Sequence, residues 1–199
     1  MRAAALLTPL LALSLLYAPG ARATTITLSD FEVLASPGAP VEIEIQISGL
    51  GTGSAPSLGA FDLVVSFDPL HLSLPSVAFG DPVFGDQLDV SGSGSFQLAV
   101  PGTGSQRVVE FSFDPEALLD AFQVDAFTLA TLIFDPIVAG PTPTLFELSA
   151  NAVGDAAGDP LEVTIVPEPS SFPLLAAALA ALVAARRRAP AARSPGSRD

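Results

Sequence analysis

The stretch Val41 to Ser48, VEIEIQIS, constrains the fold more than any other part of the chain. Val41, Ile43, Ile45 and Ile47 occupy one phase of a period-two repeat, and Glu42, Glu44, Gln46 and Ser48 occupy the other. A helix would smear these charges around its circumference, whereas a strand sends the two sets to opposite faces. Burying the four aliphatic side chains is worth about 1.5–3 kcal/mol each before the entropy of ordering them is charged against it. The segment is therefore predicted to be a strand with one buried and one wet face.

The same pattern recurs along the chain. Thr25 to Val33 opens with alternation and β-branched residues. After the loop GLGTGSAPSLG, the run AFDLVVSFDP places Phe61, Leu63, Val65 and Phe67 on one side and Asp62, Val64 and Ser66 on the other. Asp68-Pro69 ends it, because the residue before proline is restricted and Asp can hydrogen-bond turn backbone. Further strands are predicted at Leu72 to Phe79, Ser95 to Val100 and Arg107 to Phe113, the last two joined by the hairpin-like spacer PGTGSQ. Asp114 to Asp120 is the one helical-looking stretch, with Asp114 as cap and Pro115 at the first helical position. Phe127 to Val138, FTLATLIFDPIV, is apolar in both phases and reads as a central strand. Leu145 to Ala150 and Leu161 to Ile165 complete the set, with the turn-rich acidic NAVGDAAGDP between them. About nine short strands with turn signals every 8–12 residues predict an all-β sandwich. No repeat period of 20–50 residues is visible, which excludes a solenoid.

The two ends differ from this middle. MRAAALLTPLLALSLLYAPGARA has a basic start at Arg2, an apolar core from Ala3 to Tyr17 and an A-x-A site with Ala21 and Ala23. It reads as a secretory signal over 1–23, with Thr24 as the mature start. Between Thr24 and Val166, one arginine, Arg107, stands against 19 acidic residues, a net charge of −18. Such a field repels nucleic acid and anionic lipid. Cysteine is absent, so disulfides and thiolate metal sites are excluded.

The order of VEIEIQISGL, GAFDLVVSFDPLHLSL, FTLATLIFDPIVAG and GDAAGDPLEVTI over 24–166 resembles that of cohesin-like domains. The resemblance implies a nine-stranded jelly-roll β-sandwich and a non-catalytic module that binds a protein partner, usually a dockerin carrying calcium, through one sheet face. It places Asp62 at a partner-contacting position, with Asp114 and Glu116 near a second acidic contact. Ala60 departs from the family pattern, which often has Asn two positions before the Asp62 site. A second resemblance lies in the ending. Pro167-Glu168-Pro169, an apolar run and Arg186-Arg187-Arg188 look like the PEP-CTERM sorting signal of Gram-negative bacteria. That implies export, recognition by the membrane protease-transpeptidase exosortase, a cut near Pro-Glu-Pro and a mature form that is extracellular or at the cell surface, in an exopolysaccharide-producing organism. The signal covers 167–188, followed by a disordered tail over 189–199. The apolar run Phe172 to Ala185 has 14 residues, about 21 Å as a helix against a hydrocarbon core of about 30 Å. It reads as a hydrophobic helix inserted only transiently, with the arginines on the cytoplasmic side.

Catalysis finds little support. His71 is the only histidine and no lysine exists, so neither a Ser-His-Asp triad nor a Lys-bearing phosphate loop is available. The one plausible cofactor is Ca²⁺, held by Asn151, Asp155 and Asp159 with nearby carbonyls, although the spacing lacks a complete EF-hand loop. The phenylalanines read as core from their periodic placement. The functional expectation is an exported structural or adhesive module that binds a dockerin-like protein, with a carbohydrate-binding module for extracellular polysaccharide as the alternative.

Overall fold

A computed structural model describes residues 23–166 apart from 35, 37 and 138–142. The signal-peptide reading, apart from its last residue, and the Pro167–Arg188 motif, its hydrophobic helix and the 189–199 tail lie outside the described residues. Eleven strands and one helix are present: β1 (Thr24–Leu28), β2 (Glu32–Val33), β3 (Val41–Ser48), β4 (Leu58–Ser66), β5 (Ser76–Phe79), β6 (Ser95–Gly102), β7 (Ser105–Ser112), α1 (Glu116–Phe122), β8 (Ala126–Phe134), β9 (Thr144–Leu145), β10 (Glu147–Asp155) and β11 (Val163–Ile165). Nine strands form two sheets, ordered β11-β1-β3-β8-β5 and β10-β4-β7-β6, while β2 and β9 make a separate two-residue ribbon.

The fold is the all-β sandwich that the strand pattern predicts, with nine strands in its two sheets as the cohesin resemblance implies. The inward row of β3 (Val41, Ile43, Ile45 and Ile47) is buried as its alternation requires, and joins Ile26, Leu28, Phe61, Leu63, Val65, Leu132 and Phe134 in one core between the sheets. β8 lies between β3 and β5 and buries most of both faces, in line with its unbroken apolar run.

Three local readings are corrected. Leu72 makes only an isolated bridge to Pro136, so the strand predicted from Leu72 starts at Ser76. Asp114 does not cap α1: Pro115 holds the cap position with no side-chain bond, and the Asp114 carboxylate instead accepts the Ser91 N–H at 3.1 Å and the Ser91 hydroxyl. Half of the acidic loop is strand, since Asn151 to Asp155 continue β10 against β4 and only the tip turns back. That continuation depends on Gly59. A Cβ there would sit 2.4 Å from the Asp155 carbonyl oxygen, so any side chain would push the two backbones apart.

Candidate functional site

The outer face of the four-stranded sheet follows from strand parity. Val108 and Glu110 of β7 point into the sandwich, so Arg107, Val109 and Phe111 point out. Register carries this across the sheet. Asp62 lies opposite Val109, Ala60 opposite Phe111, Phe96 opposite Phe111, Leu98 opposite Val109 and Val100 opposite Arg107.

Two chemically distinct zones result. The first is polar. The Arg107 guanidinium grips Asp62 with two parallel bonds, Nε to Oδ1 at 2.7 Å and a terminal nitrogen to Oδ2 at 2.6 Å. A bulge between Ala150 and Ala152 adds Asn151 to β10, and its amide donates to Asp62 Oδ1 at 3.1 Å. The Arg107 bonds hold the Asp62 carboxyl below its ordinary value, against a smaller opposing effect of burial, and Asn151 adds to the lowering. Asp62 thus faces outward as predicted, but as the acceptor in a bidentate pair rather than a freely solvated carboxylate. Because Arg107 is half exposed, replacing it with leucine is expected to change stability little. The same change should move the Asp62 pKa up towards its ordinary value, read by NMR titration of its carboxyl carbon.

The second zone is apolar and corrects the assignment of the phenylalanines to the core. Phe96, Leu98, Val100, Phe111 and Phe113 are all exposed. Phe96 and Phe111 stack at 4.9 Å with planes 20° apart, and Phe113 meets Phe111 edge-on at 5.3 Å. Single exposed hydrophobics are ordinary on a protein surface; here they are contiguous and lie beside fixed polar groups. Between ridge and polar zone lies a hollow of about 140 Å³ lined by Ala60, Asp62, Phe111, Ala152 and Gly154 among others. An Asn in place of Ala60 would fill part of it.

Directly behind the ridge, Glu110 is 1 % exposed. It accepts the Ser95 hydroxyl at 2.6 Å and the Gln97 amide at 2.9 Å, and both of these donors also reach Asp86, at 3.2 and 2.9 Å. Burial, together with the Asp86 charge, pushes its carboxyl up to about 7, although the Ser95 and Gln97 bonds pull the other way.

The remaining predicted site residues do not join this face. Asp114 is buried against Ser91, and Glu116 is exposed on α1. The calcium candidates do not converge, since Asn151 turns to Asp62 while Asp155 accepts the Asp159 N–H at 2.8 Å within a tight turn. Among the described residues no group of three or more His, Asp or Glu side chains is placed to hold a metal ion. Sequence reading missed the Arg107 pairing, the ridge and the buried Glu110. His71 hydrogen-bonds Asp68 at 2.9 Å near the surface.

Comparison with known proteins places two features. A PEP-CTERM protein-sorting motif matches residues 166–188, and it marks the chain as an exported protein. The sandwich is similar to the sixth cohesin of scaffoldin B from Acetivibrio cellulolyticus, solved in complex with a Cel5 dockerin variant. The identity is 17% and the TM-score 0.54, over 72% of this chain and 94% of that one. A cohesin of OlpA from Clostridium thermocellum, solved in a type I cohesin–dockerin complex, gives 14% identity and a TM-score of 0.55 over 72% and 94%. The solution structure of CaCohA2 from Clostridium acetobutylicum gives 19% and 0.51 over 71% and 86%. No curated protein matches the chain in sequence.

Proposed function

We propose that this chain is an exported, non-catalytic binding module whose β10-β4-β7-β6 face docks a dockerin-like protein at the cell surface or in the surrounding matrix. The observation that carries this reading is the exposed Phe96–Phe111–Phe113 ridge beside the Asp62–Arg107–Asn151 cluster. Aromatic and arginine side chains packed at the centre of a face are the groups that dominate protein–protein affinity. That the similar solved cohesins are held in complexes with dockerins supports the choice of partner class. The one histidine, His71, is tied to Asp68.

The test is capture from the producing organism on immobilised protein, with a glycan array run in parallel. The parent is expected to retain one protein partner. Phe111→Ala should weaken that complex about 30-fold, the loss of about 2 kcal/mol typical of a central aromatic anchor, while Ala78→Asp on the opposite sheet leaves it unchanged. Glycan binding without protein capture would overturn the reading in favour of a carbohydrate-binding module.

Processing by exosortase near Pro167-Glu168-Pro169 belongs to the same proposal and rests on the matched motif. Intact mass measurement of the exported protein is expected to give a start at Thr24 and an end near Glu168. A product retaining Arg186 to Arg188 would instead make the tail an anchor.

A further inference from the structure

β6 is the outermost strand of the four-stranded sheet. Ser95 is half-buried, and Phe96 to Gly102 are exposed in both phases of the strand. Folded proteins blunt such edges by keeping them short, charging them or covering them. The other three edges follow that rule. β5 and β11 have four and three residues, and β10 is covered by its own returning chain, whose Leu161 N–H meets the Val153 carbonyl at 2.9 Å. β6 has eight residues, SFQLAVPG, with no charge among them, in a domain of net charge −18.

Pro101 settles which backbone groups of β6 are free. It has no N–H, so its pair with Gln106 is of the type that exchanges no ladder bonds, and its carbonyl points away from β7. The register runs without a bulge to Ser95 opposite Ser112. By alternation Ala99, Gln97 and Ser95 therefore also turn N–H and C=O outward. Among the described residues no backbone bond outside the ladders reaches these groups.

We infer that a second copy of this chain pairs with β6 antiparallel, about a two-fold axis between the two Leu98 residues, and joins two four-stranded sheets into one of eight. A two-fold axis sets the same edge against itself, so the paired strands must run antiparallel. In this register Gln97 meets Ala99 of the second copy, and the two exchange both backbone bonds; symmetry repeats the pair. Ser95 donates to the Pro101 carbonyl of the second copy at each end. The missing proline N–H thus falls at the margins of the seam and not in its middle. On the outer face Leu98 lies beside Leu98, and Phe96 lies beside the smaller Val100, a cross-strand set without a polar member. Charge selects the same edge. Two domains of −18 repel each other, so a seam between them must bring no unpaired acid. Arg107 and Asp62 lie one and two strands behind β6 and pair with each other. On the inner side Glu110 is buried, and Asp86 is held by the Ser95 and Gln97 side chains.

The chain has no cysteine, so one introduced thiol reports one position. The full chain is to be expressed in the producing organism and its exported form purified. Facing residues of a pair without ladder bonds lie about 4.5 Å apart at Cα, within disulfide reach. Leu98→Cys is therefore expected to oxidise to a disulfide-linked homodimer. Val100→Cys, on the same strand and face, lies about 13 Å along the strand from its counterpart and should link at least ten-fold less. Leu98→Lys sets two like charges face to face at an exposed position. It should raise the dimer dissociation constant at least ten-fold in sedimentation, with the far-UV spectrum unchanged. Added salt should tighten the parent dimer by screening the acidic domains. Equal linking at 98 and 100, a parent that stays monomeric up to about 0.1 mM, links to a different protein, or a dimer weakened by salt would each overturn the inference. No binding partner enters these readouts, so failure here is distinct from failure of the docking proposal.

Discussion

Glu110→Gln is expected to leave stability unchanged below about pH 4.5 and to raise it by on the order of 3 kcal/mol at pH 8. Below its ordinary value of 4.5 the Glu110 carboxyl is neutral in both the folded and the unfolded chain, so it costs nothing. Between 4.5 and about 7 the unfolded chain loses the proton while the folded protein keeps it. The unfolded state then binds fewer protons, and stability falls as pH rises through that window. Above about 7 both states are ionised and the full penalty persists. Glutamine keeps an oxygen to accept from Ser95 and Gln97 and gains N–H groups that can face Asp86, so it mimics the protonated acid. Asp62 and Asp81, whose carboxyls are held low by their hydrogen bonds, contribute in the opposite sense at acid pH. The parent should therefore be most stable near pH 4.5, between the loss of the Asp62 and Asp81 contributions and the onset of the Glu110 penalty, and the difference between parent and variant isolates Glu110. Urea unfolding at half-unit intervals from pH 4 to 8.5 measures it; a flat difference would refute the assignment.

Gln123→Ala is expected to cost about 3 kcal/mol or more. Gln123 is buried at the end of α1, where its amide oxygen accepts the Leu58 N–H at 2.6 Å and its nitrogen donates to the carbonyls of Leu58 at 3.0 Å and Gln87 at 2.9 Å. One side chain thus pins the helix to β4 and to the 86–88 segment. The amide oxygen of Gln87 in turn accepts the Val124 N–H at 3.2 Å. Truncation strands three buried backbone groups, each costing about 1–3 kcal/mol when left unpaired. The loss should appear as a lower urea midpoint with unchanged m-value. Gln123→Glu should be no better, because a carboxylate cannot donate to either carbonyl.

Much of this architecture is legible before any coordinates. The β3 alternation survives intact, and Asp62 faces outward because Phe61 and Leu63 claim the inside. The phenylalanines fail for a physical reason. In RVVEFSF both phases contain apolar residues, so hydrophobicity alone cannot say which is buried. Arg107 could have decided it. A lone guanidinium facing water puts Val109, Phe111 and Phe113, at even offsets, on its own side. Glu110 then falls inside, which no composition argument favours. Its partners Ser95 and Gln97 come from the neighbouring strand, and Asp86 from a loop, so their convergence depends on register rather than on local pattern. Asp114 failed as a cap because a stronger claim, from Ser91, comes from 23 residues away.

The pairing of β1 with β11 has a mechanical side. The two strands are neighbours and parallel, with Thr24 beside Val163 and Ile26 beside Ile165. The domain's first residue therefore leaves one end of this ladder and its last residue leaves the other. A pull applied through both ends slides β1 along β11, loading their hydrogen bonds together, in shear. An antiparallel terminal pair would be peeled open one bond at a time. A module built this way resists tension between its two ends at the place where that tension enters it.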